Sequence, residues 1–414
     1  MPLVRWTENA PLSARWHSES GFPPPRRLIV ADDRVRAATA HRLMAEGTAL
    51  LWRGDYHGAH RLLTALSRRI DRKAPQPAPS PAETFHRGRR FRAHRARLLG
   101  RLLVLLEPDH SLALRRAPDV RRACTGAYGP PTGPALVPLR ELLGVLGAHQ
   151  WREKGVPVPA LGDARIHPHY GVFAPVRGEY VDLVAEAALP AAGTGLGHDT
   201  ASDSTTGPHA PSAAGVAPDS GTGRGAPPAG RTGPGCDTAF DLGTGTGVLA
   251  AVLARRGVRR VIATDLSPRA RACAQDNLAR LGLADRVTVT GPELYPPGRA
   301  ALVVCNPPWL PGRPASTLDQ GMYDPGGTML HAFLTGLPAH LEPGGEGWLI
   351  LSDLAEHLGL RTRAELLGGI EKAGLRVLSR TDTRPRHRRA TDPDDPLHAA
   401  RAAEVTSLWR LAPR

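Results

Sequence analysis

Long apolar runs, cysteine and lysine are all scarce in this sequence, and the first two shortages exclude something. No apolar stretch approaches the roughly 20 residues that a membrane-spanning helix needs. The start, Met1-Pro-Leu-Val-Arg-Trp, lacks the basic segment and apolar core of an export leader. A soluble chain with no membrane partner is therefore expected. The four cysteines, Cys124, Cys236, Cys273 and Cys305, are scattered, which excludes a dense disulfide framework and a cysteine-built metal site. A reducing, cytoplasmic setting suits them. No metal is called for: His167 and His169 lie close together, but a third ligand is missing and a loop ahead of a helix accounts for both. What is present is 414 residues, 41% of them hydrophobic, enough for two or three domains with real cores.

Only three of the 53 basic residues are lysine, and the placement of the charge says more than its net value of +14. Residues 1–160 hold 27 Lys/Arg against 13 Asp/Glu, and the remainder is balanced at 26 and 26. A basic surface confined to one region is the electrostatic footprint of a nucleic-acid binder. Arginine-rich solvated helices without a partner are the alternative.

Four regions follow from composition and periodicity. Residues 1–160 are expected to be a basic, mainly helical region suited to substrate binding: apolar residues from Val35 to Ile70 recur at helical spacing, Arg87–Arg97 runs into the apolar Leu98–Leu106, and a helix is expected over Leu139–Trp151. Residues 161–189 form a segment leading into the second domain, with a helix over Glu179–Leu189. Pro190–Gly235 is low in large apolar residues and reads as a flexible insertion. Residues 236–414 alternate strands (Ala239–Leu242, Arg260–Thr264, Val287–Thr290, Leu302–Cys305, Gly347–Leu351) with helices (Gly247–Arg256, Pro268–Gly282, Thr328–Leu341, Leu354–Ala373). Arg376–Thr381 and Glu404–Leu411 suit a closing antiparallel pair. That alternation predicts an α/β, Rossmann-like parallel sheet covered on both faces.

The first of these strands runs into Asp241-Leu-Gly-Thr-Gly-Thr-Gly247, which opens a helix. Gly243, Gly245 and Gly247 allow a sharp turn and let a ligand lie against the backbone. A dinucleotide site prefers Gly-x-Gly-x-x-Gly. The spacing here, with Asp241 just upstream, favours S-adenosylmethionine, whose cationic methionine end an acidic residue stabilises. Thr244 belongs to the same cradle. About 20 residues on, Asp265 ends the next strand, where an acid accepts hydrogen bonds from ribose hydroxyls. Glu293, after the third strand, is a candidate for the adenine amine, with a solvent-facing role as the alternative. Asn277 is expected to brace the helix–strand junction.

Asn306-Pro-Pro-Trp309 stands where the fourth strand reaches the carboxyl face of the sheet. The lone pair of an amide nitrogen or a base amine is delocalised into the adjacent π system, so catalysis must localise it. The Asn306 side-chain oxygen and the Pro307 carbonyl can accept the two N–H hydrogens, and Pro307 and Pro308 fix the carbonyl direction. Trp309 offers a flat face to a base or planar amide.

Together these residues resemble the small-domain methyltransferases of class I, a group that includes ribosomal RNA guanine and release-factor glutamine N-methyltransferases. The match covers about residues 167–411. It implies a seven-stranded sheet with a C-terminal antiparallel strand pair and the cofactor S-adenosyl-L-methionine. It also implies a pocket-lining role for Phe173, Pro175 and Arg177 in Gly171-Val-Phe-Ala-Pro-Val-Arg-Gly-Glu-Tyr180. Trp309 stands where Tyr or Phe is commoner in the family. The connection of the last two strands begins Arg384-Pro-Arg386; its basic start suits substrate phosphate or an acidic protein, and a solvated loop is the alternative. The function expected is methylation of a planar nitrogen, foremost an exocyclic base amine in RNA. A protein glutamine and a small molecule are the alternative acceptors, and a binding module without catalysis is the contrasting class.

Overall fold

The computed structural model describes residues 2–190, 236–314, 318–386 and 390–414. The expected insertion over Pro190–Gly235 lies almost wholly outside the described residues, as do residues 387–389 of the basic connection. Two sheets organise the described chain. The first has six strands: β1 (Leu3–Thr7), β2 (Pro11–Trp16), β3 (Arg27–Ala31), β4 (Thr48–Trp52), β5 (Leu102–Leu106) and β6 (Ala135–Pro138), in the order β1-β2-β6-β5-β4-β3. Strands β3, β4 and β5 run parallel, and β6 runs antiparallel to β5.

Helical residues outnumber strand residues before position 160, as expected, but the sheet itself was not anticipated. Its inner strands hide on both faces. All five residues of β4 and all four of β6 are buried. A short run buried on both sides has no two-residue alternation, so Leu50, Leu51 and Leu102–Leu106 pass for helix faces. The helices do carry local start signals. Asp55 accepts from the His57 N–H at the head of Tyr56–Asp71, and Ser80 with Pro81 starts Pro81–Leu99. Their apolar faces bury Leu62, Leu66, Ile70, Leu98 and Leu99 against Leu50, Leu102 and Val104.

A short hairpin, β7 (Val156–Pro157) with β8 (Arg165–Ile166), leads into the second sheet. Val158, Leu161 and Ile166 already pack into its core. The second sheet comprises β9 (Thr238–Leu242), β10 (Arg260–Thr264), β11 (Val287–Thr290), β12 (Ala300–Cys305), β13 (Leu341–Ser352), β14 (Leu375–Thr383) and β15 (Thr406–Pro413). Their order is β11-β10-β9-β12-β13-β15-β14. All neighbours up to β13 are parallel, and β15 is antiparallel to both its neighbours. This is the doubly wound sheet and closing strand pair that the sequence predicts. β9 is wholly buried between Val248–Arg255 on one face and Phe333 and Leu337, which pack on its Phe240, on the other. The helix expected over Leu354–Ala373 is two: Leu354–His357 and Arg363–Lys372. The second starts afresh because Thr362 and Glu365 form a reciprocal capping box.

The two halves are tied together. Arg269 bridges to Glu19 at 2.9 Å, and Arg152 to Asp276 at 3.1 Å. Phe85, from the basic helix Pro81–Leu99, is buried with Leu354, Leu358 and Leu397 of the second half.

Candidate active site

The glycine loop lies between β9 and the helix Val248–Arg255, at the carboxyl edge of the parallel strands. Gly243, Gly245 and Gly247 all have positive φ, at 72°, 56° and 81°, a region open to glycine without strain. Their surroundings differ. A Cβ at Gly243 would meet Met329 Cε at 2.5 Å, and one at Gly247 would press on Ala274 at 3.2 Å. At Gly245 it would meet nothing within 4 Å. Two glycines therefore serve close packing, and Gly245 turns open backbone to whatever lies at the strand ends.

Asp241 is 1% exposed. Its Oδ2 accepts from Thr244 Oγ1 at 2.6 Å and from the Ala250 N–H at 3.1 Å. Thr244 thus enters the site as a brace for Asp241. Burial pushes the Asp241 carboxyl up to about 6, with the nearby Asp265 charge adding to the rise; the two hydrogen bonds oppose it. Asp265 accepts from the Gly245 N–H at 3.0 Å and the Ser267 N–H at 2.9 Å. Burial raises its pKa too. No ion pair reaches either carboxylate among the described residues. Two acids held by N–H and O–H donors alone, beside an open glycine, fit a cationic ligand with a polar sugar. Glu293 stands after β11 on the exposed surface. Asn277 is buried and joins three segments: its side chain accepts from the His167 N–H at 2.8 Å and donates to the Thr246 carbonyl at 3.0 Å.

Asn306-Pro-Pro-Trp309 follows β12 directly, next to the glycine loop because β12 pairs with β9. The Trp309 indole N–H donates to Asn306 Oδ1 at 2.8 Å. Trp309, expected as a stacking platform, therefore also pins the amide it adjoins. One lone pair of Oδ1 is taken and one remains. The expected pocket residue Arg177 does come to this loop: its guanidinium lies 4.9 Å from the Trp309 ring centroid. Arg177 is itself held by Glu179 at 3.0 Å and Glu404 at 2.9 Å, and Ser352 Oγ donates to Glu404 at 2.7 Å. Phe173 packs by Gly321, further along the same loop. Arg384 and Arg386 are exposed, and Arg386 lies 3.5 Å from Asp182.

Sequence reasoning missed Asp324, Glu179 and Glu404. Buried Asp324 accepts from the Met329 and Leu330 N–H groups and so fixes the start of Thr328–His340, which carries Met329 to the glycine loop. Asp324-Pro-Gly-Gly-Thr328 did carry a helix-start signal. Glu404 had none, because its partners lie 52 and 227 positions away.

Residues 235–368 match the family model described as methyltransferase small domain. The release factor glutamine methyltransferase of Cereibacter sphaeroides is 36% identical over 156 residues, which cover 34% of this chain and 54% of that protein. The ribosomal protein L11 methyltransferase of Vibrio cholerae is 37% identical over 93 residues, covering 22% and 32%. The chain thus spans about half or less of the length of these curated relatives. Among solved structures, the ribosomal protein L11 methylase of Lactobacillus delbrueckii subsp. bulgaricus aligns with 43% of this chain and 69% of its own, at 18% identity and a TM-score of 0.30. The second half of the chain holds a methyltransferase small domain, and the cofactor of that domain is S-adenosylmethionine.

Proposed function

We propose that this chain, which carries a methyltransferase small domain, is an S-adenosylmethionine-dependent N-methyltransferase whose acceptor is a planar nitrogen, foremost an exocyclic base amine in RNA. The observation that carries the chemistry is the Asn306 amide, pinned by Trp309 at the strand end beside the glycine loop. Asp241, Gly245 and Asp265 are the residues that would hold the cofactor, which supplies an electrophilic methyl group when bound. Thr244 braces Asp241, and Gly243 and Gly247 shape the turn.

With Oδ1 already fixed by the indole, its remaining lone pair accepts one N–H of the acceptor and the Pro307 carbonyl accepts another. Held so, the nitrogen lone pair leaves conjugation and points along the line of attack. Pro307 and Pro308 keep that carbonyl in place through fixed φ. Once the nitrogen has gained a fourth bond, an N–H proton leaves to solvent and restores the neutral product.

Support for RNA comes from charge and placement. The helix Pro81–Leu99 packs through Phe85 on the active-site half, and Arg89 stacks at 3.6 Å over Tyr323, in the segment after Trp309. Its exposed side presents His86, Arg90, His94 and Arg97. The relatives named for a release-factor glutamine and for ribosomal protein L11 support the second reading, a side-chain amide or amine of a protein, which the same Asn306 geometry serves. Tritiated-methyl labelling of a lysate lacking the enzyme separates the two. Label released by ribonuclease supports RNA; label that resists ribonuclease and yields to protease assigns a protein acceptor. No transfer to any species defeats the N-methyltransferase reading.

A further inference from the structure

Between the two halves of the chain lies a cleft of about 670 Å3, within the range of small-ligand sites. Arg140, Gly144, Gly147 and Trp151 line one wall; their spacing puts them on a single face of the helix Leu139–Lys154. Phe173 and Met322 belong to the opposite wall. The Met322 carbonyl accepts the Leu310 N–H, so the cleft abuts the loop that continues from Trp309.

Each glycine within a helix costs about 1 kcal/mol against alanine. Yet a Cβ at Gly144 or Gly147 would meet nothing within 4 Å, so packing does not require glycine at either place. What the two glycines preserve is open space. Trp151 is 52% exposed beside it, a large apolar surface only half covered by the described residues. At the rim, Glu141 is engaged by the Ser18 hydroxyl and the N–H groups of Glu19 and Ser20. Glu19 is engaged by Arg269 and His17. The Arg140 side chain makes no hydrogen bond or ion pair among the described residues, so its N–H groups are still open to a ligand, with the Glu141 and Asp319 carboxylates nearby.

We propose that this cleft, beside the reaction loop, holds an unpaired RNA nucleotide flanking the acceptor, the base on the apolar side of Trp151 and Phe173 and a phosphate on Arg140. The proposal rests on the N-methyltransferase reading above. Charge complementarity selects the occupant, since the region that builds this wall holds 27 basic against 13 acidic residues. Aromatic surface beside an arginine whose N–H groups are open is the combination that holds an unpaired nucleotide. The first domain then has a function: it supplies the wall that the methyltransferase domain lacks.

The test uses the full chain with Gly147→Leu, Gly144→Leu and Arg140→Glu, and Gly368→Leu as a control on a distant helix with equally open space. Fluorescence anisotropy with labelled oligoadenylate at low salt reads RNA binding, and calorimetry reads S-adenosylmethionine binding. About tenfold weaker RNA binding in all three cleft variants is expected, with cofactor affinity unchanged and the control at the wild-type level. Wild-type RNA affinity in Gly147→Leu and Arg140→Glu overturns the proposal. So does a protein as the labelled species in lysate, even where Gly147→Leu blocks its labelling, because the occupant is then wrong. A wild-type chain that binds no cofactor and transfers no methyl defeats the N-methyltransferase reading instead, and the anisotropy series still decides the cleft.

Discussion

Both sheets gather acidic residues at the carboxyl ends of parallel strands, and they treat them in opposite ways. After β4, buried Asp55 is bound by Arg116 at 2.7 Å and Arg115 at 3.1 Å and also accepts from the His57 N–H. A Cβ at neighbouring Gly54 would meet Asp33 Oδ2 at 2.6 Å and Trp52 Cζ2 at 2.9 Å, so the space is filled. After β9 and β10, Asp241 and Asp265 have only neutral donors, and the space before Gly245 is open. Arg116, helped by the His57 and Gly58 N–H groups, holds Asp55 well below the usual carboxylate range, whereas burial drives Asp241 up to about 6. The same strand-end position is thus a finished structural joint in one half and an unmet charge in the other. Unmet charge is what marks a ligand site.

The largest expected effect tests the reaction loop. Asn306→Ala should lower the methyl-transfer rate by about 10²–10³-fold while calorimetry gives a cofactor affinity within about twofold of wild type. Loss of both together would make Asn306 part of the cofactor cradle.

Next, Asp241→Asn should weaken S-adenosylmethionine by about tenfold or more, the size of one hydrogen bond to a charged group. Asp55→Asn should leave that affinity alone and lower the melting temperature, since Arg115 and Arg116 lose their buried partner. Equal loss of cofactor in both variants would break the comparison between the sheets.

Acidity sharpens it. The Asp241 carboxyl rises from 3.8 to about 6 on folding, so between those values the folded state binds more protons than the unfolded one. Stability of the cofactor-free protein should therefore fall as pH rises from about 4 to about 6, by up to roughly 3 kcal/mol. Urea titrations across this window should show less of that fall in Asp241→Asn. A cationic cofactor favours the ionised carboxyl, so its affinity should rise with pH over the same window and level off above it. Proton release on binding, read by calorimetry in buffers of different ionisation heat, checks this.

The smallest effect concerns Trp309→Phe, which keeps the ring and removes the N–H. The methylation rate should drop several-fold, about 1 kcal/mol for one neutral hydrogen bond, with the acceptor KM little changed. A large KM rise with an unchanged rate would return Trp309 to a stacking role alone.

By itself, the sequence determined the second sheet, strand by strand, and the identity of its first loop. There, strands alternate with helices, Gly243 to Gly247 demand a turn, and Ser267-Pro268 and Thr362-x-x-Glu365 start helices by local hydrogen bonds. Such signals are written within a few residues and survive without a fold around them. Tertiary structure alone decided the rest. The first sheet escaped notice because strands buried on both faces have no periodicity of their own. Asp241 and Asp55 look alike as residues, and only long-range partners, Arg116 for Asp55 and no cation among the described residues for Asp241, shift their acidities in opposite directions. The pinning of Asn306 by Trp309 spans three positions, but the hold on Arg177 spans 227. A contact that distant is fixed by packing, which leaves no pattern in the chain that makes it.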